Sequence, residues 1–141
     1  MYVNPKEMAT STVEYLGGLR TKCTHIKSGQ EVITDAPVDN NGKGEAFSPT
    51  DLVATAYVSC MYTIIGIYCE NNNIHFNFGK AAITKIMGSN PRSIERIEVD
   101  LDFTENNWDE SIHQRVKNAG KGCPVAKTLS SNVELKLNYK F

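Results

Sequence analysis

The sequence predicts an α+β fold in which strands surround one long buried helix. Two stretches alternate apolar and polar residues strictly, and a run of eighteen uncharged residues extends from Leu52 to Cys69. The segments follow one another as strands, helix, strands, helix and strand, not as the strict alternation of a doubly wound sheet. A chain of 141 residues, 40% hydrophobic and 22% charged, fits a single domain over residues 1–141, large enough to bury a core without staples.

From the N-terminus, "TVEYLGG", "RTKCTHIK" and "EVITDAP" read as short strands, with Ser28 and Gly29 turning the second into the third. The Gly- and Asn-rich loop "APVDNNGKGEAF" follows. The long helix has a designed entry: Ser48 caps, Pro49 suits the first position and Asp51 falls where a capping-box carboxylate sits. The "ENNN" run from Glu70 ends it. A helix apolar on nearly all faces is expected in the middle of a fold. "FNFGKAAITKIMG" is a weaker strand candidate, and Ser89, Asn90 and Pro91 turn it into "RIEVDLDF". Trp108, Ile112, Val116 and Ala119 recur at helical spacing until Gly120. "VELKLNYKF" closes the chain as a half-buried strand, with Val133, Leu135, Leu137, Tyr139 and Phe141 on one face.

Charge and composition narrow the function classes. A formal charge of -1 with a pI near 6.3 lacks the cationic surplus that nucleic acid or an acidic membrane requires, so neither partner is expected. The uncharged run sits at the lower limit for a bilayer span, but Thr55, Ser59, Thr63 and Gly66 interrupt it and no basic cluster flanks it. The opening "MYVNPKEMAT" has neither the basic nor the apolar region of a secretory leader, which leads to the expectation of a cytoplasmic protein with reduced thiols.

Four cysteines hold the chemistry. Cys60 and Cys69 are nine residues apart, which on a helix sets them on opposite faces and roughly 13 Å apart along the axis. They cannot bond to each other there. His25, His75 and His113 are scattered and no Cys-x-x-Cys pair occurs, so no metal is expected. Cys123 in "KGCPVAKTLSS" precedes Pro124 at the start of a short helix, where amide donors and the helix dipole favour a thiolate. Cys60 lies too far into its own helix for that help, and composition alone reads it as an inert core thiol.

Read together, "GEAFSPTDLVATAYVSCM" and "GCPVAKTL" resemble the two signatures of the OsmC/Ohr family, the osmotically inducible protein C and organic hydroperoxide resistance proteins. The first signature is Ser/Asn-Pro, an acidic residue, Leu, an Ala-rich run and Cys; the second is a Cys-Pro pair opening a short helix. They stand in the family's order, the cysteines 63 residues apart, and the similarity runs in pattern from about Thr12 to the C-terminus. The resemblance implies antiparallel sheets around a long buried central helix in an intertwined homodimer. It also implies a thiol peroxidase acting on organic hydroperoxides, with Cys60 as nucleophile, Cys123 as resolving thiol, an external dithiol as reductant and no cofactor. The family's thiolate-stabilising Arg resembles Arg20 in "YLGGLRTK", which by itself reads equally as a solvated strand-end charge.

One departure stands out. The best-characterised peroxidases of the family carry a Glu directly after the helix-opening Pro, and it holds the Arg bidentately; here that position is Thr50, with Asp51 next. Asp51 or Glu45 is the expected substitute partner of Arg20, and Thr50, Asp51 and Tyr57 are the expected substrate-side residues. Cys23 and Cys69 match no signature. The competing reading is a non-catalytic dimer that holds a hydrophobic ligand or senses redox state; a hydrolytic Cys-His enzyme is more distant, since no His is tied to either cysteine.

Overall fold

A computed structural model describes residues 9–141; residues 1–8, where the absence of a leader is read, lie outside it. Two compact units form, one ending at Leu52 and the other spanning Val53–Phe141.

The first unit is an antiparallel meander of β1 (Ser11–Gly17), β2 (Arg20–His25) and β3 (Glu31–Asp35). Gly17, Gly18 and Leu19 all take positive φ between β1 and β2. Two glycines make this left-handed run affordable, and the Leu19 N–H donates to the Tyr15 hydroxyl at 3.3 Å. Ser28 and Gly29 turn β2 into β3 as expected, with the His25 N–H donating to the Gln30 carbonyl at 2.8 Å. Val13, Cys23 and Val32 align on one face; on the other, Lys22 reaches Glu14 at 3.2 Å and Arg20 lies opposite Asp35.

The loop after β3 folds back on itself, the Gly42 N–H donating to the Pro37 carbonyl and the Gly44 N–H to the Ala36 carbonyl. Gly42 passes so close to Ala36 that a Cβ would stand 1.8 Å from its carbonyl oxygen, so only glycine fits. The loop ends in the predicted helix entry. Ser48 Oγ accepts the Asp51 N–H at 3.1 Å, and Asp51 Oδ2 accepts the Ser48 N–H at 3.0 Å, a reciprocal capping box opening α1 (Pro49–Asn71). The far end of α1 is closed by asparagines, Asn72 Nδ2 donating to the Tyr68 carbonyl and Asn73 at positive φ.

In the second unit α1 packs on a sheet ordered β4 (Lys80–Gly88), β5 (Ser93–Asp102) and β6 (Glu134–Lys140). Ala54, Tyr57, Val58, Met61, Ile65 and Cys69 recur every three or four residues along α1 and form its buried face. Ile97, Val99, Leu101 and Phe103 answer them from alternate positions of β5 and its end. Each such side chain contributes about 1.5–3 kcal/mol by leaving water. Two helices complete the unit, α2 (Glu110–Gly120), which buries Val116, and the short α3 (Pro124–Leu129).

Four expectations are corrected. The sheets are not all antiparallel: β6 runs parallel to β5, because the chain between them carries α2 and α3 and returns to the end from which β5 started. α1 is not buried all round. Its length and mean hydropathy of 1.6 would suffice for a membrane span, but one face belongs to the core while Val53, Ser59, Thr63 and Ile67 on the rest are exposed. Trp108 precedes α2, and its indole N–H donates to the His75 carbonyl at 2.6 Å. That bond, with Asn106 Nδ2 on the Phe78 carbonyl at 2.6 Å, holds residues 75–78 outside β4, which begins only at Lys80.

Candidate functional site

The second unit assembles the two signature cysteines. Cys60 sits on α1 half-buried, and Cys69, nine residues on, faces the core at 1% exposure; the two occupy opposite faces, as the helical spacing requires. Cys123 reaches Cys60 because the turn from α2 to α3 lies directly on α1. Gly120 makes this approach possible: a Cβ there would be 3.2 Å from Met61 Cγ and 3.4 Å from Ile65 Cδ1. Gly122 follows against Ile64. Cys123 then caps α3, its Sγ accepting the Ala126 N–H at 3.4 Å, with Pro124 in the first turn as predicted.

The electrostatics of Cys123 reverse the expectation from its cap position. Its side chain is completely buried, and its S–H donates to the Tyr57 carbonyl at 3.7 Å. Burial pushes the thiol pKa up, and the neighbouring Cys60 sulfur pushes it further. The Ala126 and Val125 amides pull the other way and do not prevail. A short helix offers only a few partial charges to a thiolate, whereas full desolvation penalises the whole charge. Cys123 is therefore a protonated thiol at neutral pH. All four cysteines are free thiols in this structure. Cys69 is also pushed up by burial, although Arg115 opposes the rise. Its remote face and burial leave it a packing residue. Cys23 lies mid-strand against Thr21.

Arg20 belongs to the first unit, where it is held by two carboxylates. Nε donates to Asp35 Oδ1 at 2.7 Å and Nη2 to Asp35 Oδ2 at 2.9 Å, a bidentate fork; Nη2 also donates to Glu45 Oε2 at 2.9 Å. The Glu45 N–H donates to Asp35 Oδ2 at 3.2 Å, tying loop and strand together. Arg20 hydrogen bonds hold the Asp35 carboxyl below the usual range against the opposing effect of burial. Of the two expected partners, Glu45 takes the role. Asp51 is engaged in the helix cap, and Thr50 Oγ1 lies 3.2 Å from Ser48 Oγ in the same cap.

Sequence reading missed Asp35. The hairpin register sets Asp35 directly opposite Arg20, but it is centred between Lys27 and Ser28, so counting outward from the expected Ser28–Gly29 turn would have paired Arg20 with Pro37 instead. Tyr57 is 3% exposed and its phenol is pushed up to about 12, chiefly by burial; its carbonyl is what meets Cys123. Among the described residues no cluster of His, Cys, Asp or Glu could hold a metal ion.

A family model described as OsmC-like protein matches residues 42–138. The chain is 41% identical to a Psychrobacter arcticus protein described as a candidate osmotic stress induced and detoxification response protein, with a TM-score of 0.90 over 99% of this chain and 100% of that one. An organic hydroperoxide resistance protein from Legionella pneumophila is 18% identical, with a TM-score of 0.74 over 95% and 98%. The organic hydroperoxide resistance protein OhrB of Bacillus subtilis is 21% identical, with a TM-score of 0.62 over 94% and 98%. At those identities the last two show the fold alone. No curated protein matches the chain.

Proposed function

The chain belongs to the OsmC-like protein family, and from that membership and its paired thiols we propose that it is a thiol-dependent peroxidase for organic hydroperoxides. The observation that carries the reading is the meeting of two free thiols from distant segments, one of them buried and protonated. In the proposed cycle the Cys60 thiolate attacks the terminal peroxide oxygen and the O–O bond breaks. Cys60 becomes a sulfenic acid, and the leaving alkoxide takes a proton and departs as alcohol. Cys123 then attacks the Cys60 sulfur, the sulfenic oxygen leaves as water with the Cys123 proton, and a disulfide forms. An external dithiol returns both cysteines to thiols and is itself oxidised to a disulfide.

A resolving thiol that stays protonated until the sulfenic acid exists suits this order, since it does not compete for peroxide. By resemblance to the family, Arg20 is assigned as its conserved-position Arg, with Thr50, Asp51 and Tyr57 on the substrate side. The proposal includes a homodimer. The exposed Val53 and Ile67 of α1 and the exposed Val13, Tyr15 and Val32 of the first sheet are the apolar surface a second copy would cover. It also includes a cytoplasmic setting, where a dithiol reductant is at hand.

The test is peroxide consumption by reduced protein and its Cys60→Ser and Cys123→Ser variants, with disulfides mapped by mass spectrometry. Cys60→Ser abolishes consumption, and Cys123→Ser permits about one turnover and leaves a sulfenic acid. Equal, slow consumption by all three proteins would favour a ligand-binding protein instead.

A further inference from the structure

The sequence holds one Asn-Gly pair, Asn41–Gly42, and it lies in the loop after β3 with Asn41 exposed. At such a pair the asparagine side chain is open to attack by its own backbone, because glycine has no side chain to shield the following nitrogen or to hinder rotation of that peptide. The reaction needs only water and hydroxide. The Gly42 nitrogen gives its proton to hydroxide and bonds to Asn41 Cγ; the Cγ–Nδ2 bond breaks, and ammonia leaves with a proton from water. Water then opens the five-membered imide. Addition at Cγ gives an aspartyl residue, and addition at the backbone carbonyl carbon gives an isoaspartyl residue, whose main chain runs through the former side chain.

The loop opposes each of these requirements. The Gly42 N–H donates to the Pro37 carbonyl at 2.9 Å, so the proton that must leave is engaged. Asn41 has φ 64° and ψ 15°, a left-handed turn that Asn tolerates. At that ψ the Gly42 nitrogen is turned away from the Asn41 Cβ, whereas the five-membered ring needs the two eclipsed. Rotation would carry Gly42 off the Ala36 carbonyl against which it is packed. The Gly44 N–H, donating to that same carbonyl at 3.2 Å, closes the loop from the other side. Beyond it the loop delivers Glu45 to Arg20 at 2.9 Å.

We propose that Asn41 is a gated deamidation site: the closed loop blocks attack by Gly42, opening of the loop releases it, and the isoaspartyl product cannot close the loop again. An isoaspartyl link adds a methylene to the main chain, so the Gly42 N–H no longer falls on the Pro37 carbonyl. The aspartyl product keeps the backbone length and the tolerance for the left-handed turn, and it closes as Asn41 does.

The experiment follows the full-length protein at mildly alkaline pH and reads, by mass spectrometry of the peptide containing Asn41, the exchange of amide for acid. Folded parent is compared with parent unfolded in guanidinium chloride and with folded Gly44→Ala, whose new Cβ would stand 2.8 Å from Val38 Cγ2 at a positive φ. The unfolded chain is expected to deamidate at Asn41 faster than the folded one by ~10-fold or more, with Gly44→Ala between them. Equal rates in folded and unfolded parent overturn the gate, and no product at Asn41 in the unfolded chain overturns the site itself. That comparison uses the parent alone, so a folding defect in Gly44→Ala does not affect it. Trypsin cleavage after Lys43 reads loop closure: isoaspartyl protein refolded from denaturant is cut faster than identically treated unmodified parent, and equal cutting overturns the claim that the product holds the loop open.

Discussion

Replacing Gly120 with Ala tests the contact that seats Cys123. Two effects oppose each other. In a helix an Ala is favoured over Gly by about 0.5–1 kcal/mol, because the unfolded chain has less freedom to lose. The new Cβ, however, would stand 3.2 Å from Met61 Cγ and 3.4 Å from Ile65 Cδ1, both on fully buried side chains. Overpacking of that kind costs about 1–3 kcal/mol. The crowding wins, leaving a net loss of about 1 kcal/mol, measured as a lowered urea midpoint with an unchanged slope. Because α2 must lift from α1 by a few tenths of an ångström, Cys123 moves with it, and disulfide formation after a single peroxide pulse slows while sulfenic acid persists. A Gly120→Ala protein that is more stable by about 0.5–1 kcal/mol, as at an open helical site, would refute the packing argument.

Gly42→Ala is expected to be worse, with a loss of more than about 2 kcal/mol, since its Cβ would meet a backbone carbonyl oxygen at 1.8 Å that no rotamer can avoid; thermal unfolding of the variant measures it. The raised thiol of Cys123 predicts an alkaline effect. The unfolded chain releases that proton first, so its contribution to stability is complete below about 9 and is lost as pH rises through the higher folded value. Urea midpoints between pH 8 and 11 should therefore fall less steeply in Cys123→Ser than in the parent. Asp35 predicts the acid counterpart. Its folded carboxyl is held below the ordinary value of 3.8, so its stabilisation is present above that pH and disappears as pH falls through the folded value, and Asp35→Asn should flatten the acid limb of the stability profile.

The strands β5 and β6 were legible because alternation of Ile97, Val99 and Leu101, and of Leu135, Leu137 and Tyr139, is a local property. The α1 entry was legible for the same reason: Ser48 and Asp51 bond each other within one turn. The direction of β6 was not, since periodicity carries no sign and the path through α2 and α3 decides it. Trp108 was read into α2 because its spacing is helical, yet a carbonyl from residue 75 holds it before the helix begins. The two cysteines that meet could be named from the two signatures, and Arg20 from the Gly pair. Asp35 needed the hairpin register, which places it opposite Arg20 from a strand 15 residues away.

By itself the sequence determined which segments are strands and helices, where α1 begins, that Cys60 and Cys69 face apart, and which cysteines deserve suspicion. All of these depend on residues a few positions apart, whose geometry the backbone imposes. Tertiary structure alone decided that Cys123 meets Cys60 over Tyr57, that burial overrides the helix cap and keeps the Cys123 proton, and that Asp35 aims Arg20. Desolvation and charge pairing act between groups distant in sequence, and their balance exists only once the chain has closed around them.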